Sequence, residues 1–164
     1  MSDSNRHRLL FICLGNICRS PLAEGIFLHK ANARGVAEQF TIDSAGTGGW
    51  HVGDPPDPRA REVAERHGVR LVSRGRQIEP GDTDRFDLLL CMDRDNYRKV
   101  ERLGARPDQI HLMLEFLPED SPHEVPDPYY GGDDGFDHVF DLLDRSCENL
   151  LDQLAARPEP SSRQ

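Results

Sequence analysis

No apolar run in the 164 residues approaches the ~18 needed to cross a bilayer, and residues 1–8 (MSDSNRHR) lack the apolar centre of a secretory leader. A membrane partner and signal-directed export are therefore not expected, and a cytoplasmic location is. Cysteine is scarce: Cys13, Cys18, Cys91 and Cys147 are too few and too scattered for a disulfide framework, so reduced thiols are expected. There is no CxxC pair and no HExxH, and the histidines are dispersed, which leaves neither a metal nor a cofactor site in view. Lysine is nearly missing, since Lys30 and Lys99 are the only two among 20 basic residues. Against 29 acidic residues the formal charge is −9, a field that repels polyanions, and nucleic acid is not an expected partner.

With 37% hydrophobic residues the chain has material for one core. The expected organisation is a flexible N-terminus over 1–7, a single domain over 8–156 and a flexible tail over 157–164. Leu9 to Cys13 (LLFIC) is a continuous apolar run, suited to a strand buried on both faces of a parallel sheet. Ser20 and Pro21 signal a helix start, with Leu22, Ala23, Ile26 and Phe27 at helical spacing. A second strand is expected at Phe40 to Asp43, a Gly- and Pro-rich loop from Ser44 to Pro58, and a polar helix from Arg59 to His67 ending at Gly68. Phe86 to Cys91 and Ile110 to Leu114 read as further strands around a helix at Asp93 to Leu103, which Gly104 closes. A long loop then spans Pro118 to Gly135, and the apolar positions from Phe136 to Leu154 trace one face of a final helix. Strands alternating with helices define an α/β fold whose ligands bind beyond the C-terminal ends of parallel strands.

The segment Cys13-Leu14-Gly15-Asn16-Ile17-Cys18-Arg19-Ser20 occupies that position, between the first strand and first helix. Backbone N–H groups curling around a turn, aided by the helix dipole, cradle an anion, and the planar fork of Arg19 suits two phosphate oxygens. The same positive field favours a thiolate at Cys13 and hence a nucleophile. A nucleotide-binding P-loop needs GxxxxGK[ST], and this loop has no lysine. Ser20 has two openings, to cap the helix or to bond the Cys13 sulfur, while Asn16 tolerates the left-handed backbone that such a loop demands.

CLGNICRSP, followed by DSAGTGGWHVG, PDPRA, HGV, CMD and finally DPYY at Asp127 to Tyr130, resembles the low-molecular-weight protein tyrosine phosphatases over most of the chain. The resemblance implies a flavodoxin-like three-layer sandwich with a central four-stranded parallel sheet covered by helices on both faces. It implies a phosphocysteine on Cys13, phosphate held by Arg19 and the loop amides of residues 14–19, and Asp127 as general acid. Ser44 matches a position in the network that supports the loop, and Ser73 stands where the family often has His. A reversible Cys13–Cys18 disulfide is implied too, although Cys18 also reads as a small packing residue. Phosphotyrosine-containing proteins are the implied partners, a tyrosine kinase acting on Tyr129 or Tyr130 a regulator, and monomer or weak dimer the state.

Asp127 fits the acid role on its own chemistry, because Pro128 restricts its backbone and the loop is long enough to fold over the cradle. Asp93 is its competitor, with helix capping as the simpler use. Ile17, Trp50, Tyr129 and Tyr130 are the expected substrate wall, the glycines beside Trp50 favouring an exposed ring. Related protein-arginine phosphatases carry Thr at the place of Ile17 and lack the two tyrosines. An arsenate reductase of the same fold needs a thiol relay, which Cys91 and distant Cys147 do not supply. A non-catalytic phosphotyrosine-binding module has no use for Cys13 and Asp127 together. The basic stretch Arg59, Arg61, Arg66, Arg70, Arg74 and Arg76 reads as a solvated face.

Overall fold

Apolar runs become the strands of one parallel sheet in a computed structural model that describes residues 6–130 and 133–155. The strands are β1 (His7–Cys13), β2 (Phe40–Gly46), β3 (Leu88–Cys91) and β4 (Ile110–Leu112), in the order β2-β1-β3-β4. Every pairing is parallel, with Cys13 opposite Gly46 and Ile12 opposite Cys91. The helices are α1 (Arg19–Ala33), α2 (Pro58–Arg66), α3 (Asp82–Arg85), α4 (Arg94–Arg102) and α5 (Asp133–Leu154). The expected tails fall largely on residues 1–5 and 156–164, outside the described residues.

Alternation along β1 divides the core. Leu9, Phe11 and Cys13 face one layer, where they pack with Leu22, Ile26 and Phe27 of α1, Val63 of α2 and Val139, Leu143 and Leu150 of α5. Leu10 and Ile12 face the other, with Ala45, Leu89, Cys91, Ile110 and Val100 of α4. Each Leu, Ile, Val or Phe among these that is removed from water contributes about 1.5–3 kcal/mol, so both sheet faces must be covered. This is the flavodoxin-like three-layer sandwich, and its strand order reverses between β1 and β3, the place where such sheets bind ligands.

Several boundaries differ from the sequence reading: β3 starts at Leu88 rather than Phe86, and β4 ends at Leu112 rather than Leu114 because a 3₁₀ turn begins at Met113. Ser44, Ala45 and Gly46 extend β2, because backbone pairing with β1 continues to Cys13. The segment read as loop from Pro118 to Gly135 contains a 3₁₀ turn at Pro128–Tyr130 and the first turn of α5. Ser20 does not cap α1: Cys18 is the cap residue, without a side-chain cap bond, and the Ser20 hydroxyl turns inward to sulfur. Among the described residues no helix is long and apolar enough to cross a membrane.

Candidate active site

The backbone between β1 and α1 makes one left-handed turn at Asn16, whose φ of 59° puts its buried side chain under the loop. From there Asn16 Nδ2 donates to Ser20 Oγ (2.8 Å) and Ser44 Oγ (3.0 Å), while its Oδ1 accepts from Arg76 N (2.9 Å). A non-glycine residue holds this conformation because three partners fix it. The Asn16 N–H donates to Cys13 Sγ at 3.3 Å, and Ser20 Oγ lies 3.0 Å from the same sulfur. Gly46 lets β2 approach: a Cβ there would stand 2.8 Å from the Leu14 carbonyl oxygen.

Arg19 is buried at 2% exposure, and its Nη1 donates to Asp93 Oδ2 (2.8 Å) and to the Val125 carbonyl (3.1 Å). Its Nη2 lies 3.5 Å from Asp127 Oδ2. Asp93 keeps the capping use foreseen for it, with Oδ1 accepting from Asn96 N at 2.8 Å, and adds the grip on Arg19. Both its oxygens are thus engaged.

A cleft of about 320 Å³ opens over the loop, lined by Cys13, Leu14, Gly15, Ile17, Cys18, Arg19, Trp50, His51, Asp127 and Tyr129. Trp50 is 71% exposed and Tyr129 40%, so both stand as walls rather than core. The Tyr130 side chain lies outside the described residues. His51 was missed, though its place beside Trp50 was a usable signal. Its ring packs against Gly15, and Nδ1 is 3.1 Å from Asp54 Oδ2. All four thiols are free, and burial pushes Cys18, Cys91 and Cys147 far up, with Asp57 next in importance at Cys18. Cys91 faces the layer opposite the other three.

Glu24 was missed as well. It stands one helical turn after Ser20, a spacing that places both on one face of α1. Ser44 Oγ donates to Glu24 Oε1 at 2.6 Å, so the loop's support ends on a carboxylate. Burial pushes Glu24 up to about 7; Asp43 adds to the rise, while the Ser44 bond and Arg76 oppose it. Between its ordinary value of 4.5 and about 7 the folded chain holds a proton that the unfolded chain releases. Stability therefore falls as pH rises through that window, by roughly 1 kcal/mol per pH unit, and is level above it. Glu24→Gln should remove this slope, so that urea denaturation at pH 5, 6, 7 and 8 gives curves for variant and parent that diverge with pH. Curves that stay parallel would show an ordinary carboxylate.

The basic stretch is not one solvated face. Arg76 reaches Asp43 (3.1 Å) and both oxygens of buried Asp82, and Arg59 forks onto buried Asp57. Among the described residues no three His, Cys, Asp or Glu side chains are placed to hold a metal ion.

Sulfur, guanidinium and carboxylate meeting at the switch point of a parallel sheet mark an α/β protein suited to receiving phosphate monoesters at cysteine. Within that class the chain belongs to the low molecular weight phosphotyrosine protein phosphatase family, which it matches over residues 8–159. It is 40% identical to the Schizosaccharomyces pombe low molecular weight phosphotyrosine protein phosphatase, covering 90% of this chain and 97% of that one. The Homo sapiens relative of the same description is 36% identical, with 93% and 99% covered. The crystal structure of a protein tyrosine phosphatase from Entamoeba histolytica superimposes with a TM-score of 0.86 at 39% identity, over 90% of this chain and 96% of that chain.

Proposed function

We propose that this chain hydrolyses phosphotyrosine in proteins, and small aryl phosphates, through a phosphocysteine intermediate on Cys13. The observation that carries this reading is the convergence of Cys13, Arg19 and Asp127 on one cleft. With Nη1 of Arg19 tied to Asp93 and Val125, its Nε and Nη2 edge is offered to two phosphate oxygens, with Asp127 3.5 Å from Nη2, and the amides of Leu14, Gly15, Asn16, Ile17, Cys18 and Arg19 take the rest, that of Asn16 being shared with the Cys13 sulfur. Cys13 attacks phosphorus, the P–O bond to the ring breaks, and Asp127 gives its proton to the departing oxygen. Asp127, now a carboxylate, takes a proton from water as that water attacks the phosphocysteine, and the thiolate leaves with phosphate released. Ser20 donates to the sulfur in both steps. Asn16 already donates to the Ser20 oxygen, which leaves the hydroxyl proton free for Cys13.

Ile17, Trp50 and Tyr129 line the cleft around Cys13 and Arg19, and the two exposed rings suit the flat aryl group of phosphotyrosine. Phosphotyrosine peptides should therefore exceed phosphoserine and phosphoarginine peptides in kcat/KM by roughly 10²-fold or more. Parity with either would sink the assignment. An arsenate reductase relay lacks support, because Cys91 opens onto the opposite face of the sheet. The same proposal includes a cytoplasmic monomer or weak dimer, subject to a tyrosine kinase acting on Tyr129 or Tyr130.

A further inference from the structure

The segment carrying Asp127 is held at two points, two residues before the carboxylate and two residues after it. Before it, the Val125 carbonyl accepts from Arg19 Nη1 at 3.1 Å and Val125 N–H donates to the Met92 carbonyl at 2.8 Å. After it, the Tyr129 carbonyl accepts from Arg59 Nη2 at 3.1 Å. Both arginines are fastened to the phosphate loop. Arg19 ends that loop, whereas Arg59 reaches it through Asp57: Nε to Oδ1 is 3.1 Å, Nη2 to Oδ2 is 3.2 Å, and Asp57 N–H donates to the Ile17 carbonyl at 2.8 Å. The guanidinium face also lies over Tyr129 and Phe136, at 5.5 and 4.8 Å from the ring centroids. Buried Asp57 is pinned in turn, as the cap of α2, by Arg59 N–H at 2.8 Å.

From these contacts we infer that Arg59 is a positioning residue, which sets the separation between the phosphate loop and Asp127 through the Tyr129 carbonyl. It does not line the cleft, so it acts on the reaction only through the segment it holds. The inference rests on Asp127 as the general acid. Arginine is required because one planar group must fork onto Asp57, bond a carbonyl and stack on two rings, a combination that a lysine ammonium does not reproduce.

The test is rapid-mixing measurement of the cysteine-phosphorylation step with phenyl phosphate and with an electron-poor aryl phosphate. Asp127→Asn, Arg59→Met, Arg59→Lys and the double variant Arg59→Met/Asp127→Asn are compared. Arg59→Met should slow phenyl phosphate by about 10- to 100-fold, the scale of a misplaced catalytic group, and the electron-poor ester by less than about 2-fold. Arg59→Lys should fall between Arg59→Met and the parent. In the Asp127→Asn background Arg59→Met should add nothing, and vanadate affinity should be the same in Arg59→Met, Arg59→Lys and the parent. A residue that only supports the fold would slow both esters alike and weaken vanadate, and that result overturns the inference, as does a further loss in the double variant. If Asp127→Asn shows leaving-group dependence and Arg59→Met does not, the brace is wrong and the acid assignment stands. If Asp127→Asn itself shows none, the acid assignment fails and takes the brace with it.

Discussion

Cys13→Ser should reduce kcat for every phosphate ester on the order of 10⁶-fold, the scale reached when an enzyme loses its nucleophile. The substitution is nearly isosteric, and the site around it is already built: the Asn16 N–H and the Ser20 hydroxyl converge on this atom from 3.3 and 3.0 Å. Those donors hold the sulfur where it lines the cleft, and sulfur is intrinsically the stronger nucleophile. A serine hydroxyl needs a partner base to become a nucleophile, and neither of these groups is one. Phosphate binding should survive, because the loop amides and Arg19 are untouched, so vanadate or a phosphotyrosine peptide should still bind the variant. Steady-state assays with and without EDTA provide the check. Appreciable turnover by Cys13→Ser, or loss of parental activity to the chelator, would remove the phosphocysteine mechanism.

Asp127→Asn should cost about 10²–10⁴-fold with an unsubstituted phenyl or alkyl phosphate, the range for general acid catalysis, and far less with an electron-poor phenol. The leaving oxygen decides this. A basic alkoxide or phenolate cannot depart without a proton, whereas a stabilised phenolate can. The Asp127 carboxylate is well placed, since one oxygen accepts from Tyr129 N–H at 3.0 Å and the other lies 3.5 Å from Arg19. Asparagine retains the first of these contacts and loses the proton. Burst kinetics isolate the phosphorylation step from hydrolysis of the intermediate. Equal losses for good and poor leaving groups, or leaving-group dependence in Asp93→Asn alone, would move the acid role elsewhere. Asp93 starts at a disadvantage, with one oxygen on the α4 cap and the other on Arg19.

Residues 13–20 were legible because a strand, a turn and a helix start are local features, and an anion cradle made from one such turn needs no distant chain. The buried strands were legible for the same reason, as apolar runs that only a covered parallel sheet accommodates. Their ends were less so. Ser44 to Gly46 have the composition of a loop, and only pairing with β1 makes them strand. Ser20 shows the difference within a single side chain: its hydroxyl had a cap and a sulfur within reach, and the left-handed turn at Asn16 decided for sulfur. Glu24 and Arg59 carry no mark of their roles in sequence, and Asp93 was legible only as a cap or a rival acid, yet Glu24 meets Ser44 20 residues on, Arg59 meets Tyr129 70 away and Arg19 meets Asp93 across 74. The sequence by itself determined the sheet, the phosphate loop and the residues equipped for its chemistry, since these follow from local periodicity and side-chain type. Which carboxylate supports the loop, which caps and grips, and which faces the cleft were decided by tertiary packing, because an acidic side chain takes its role from the donors that the fold brings to it.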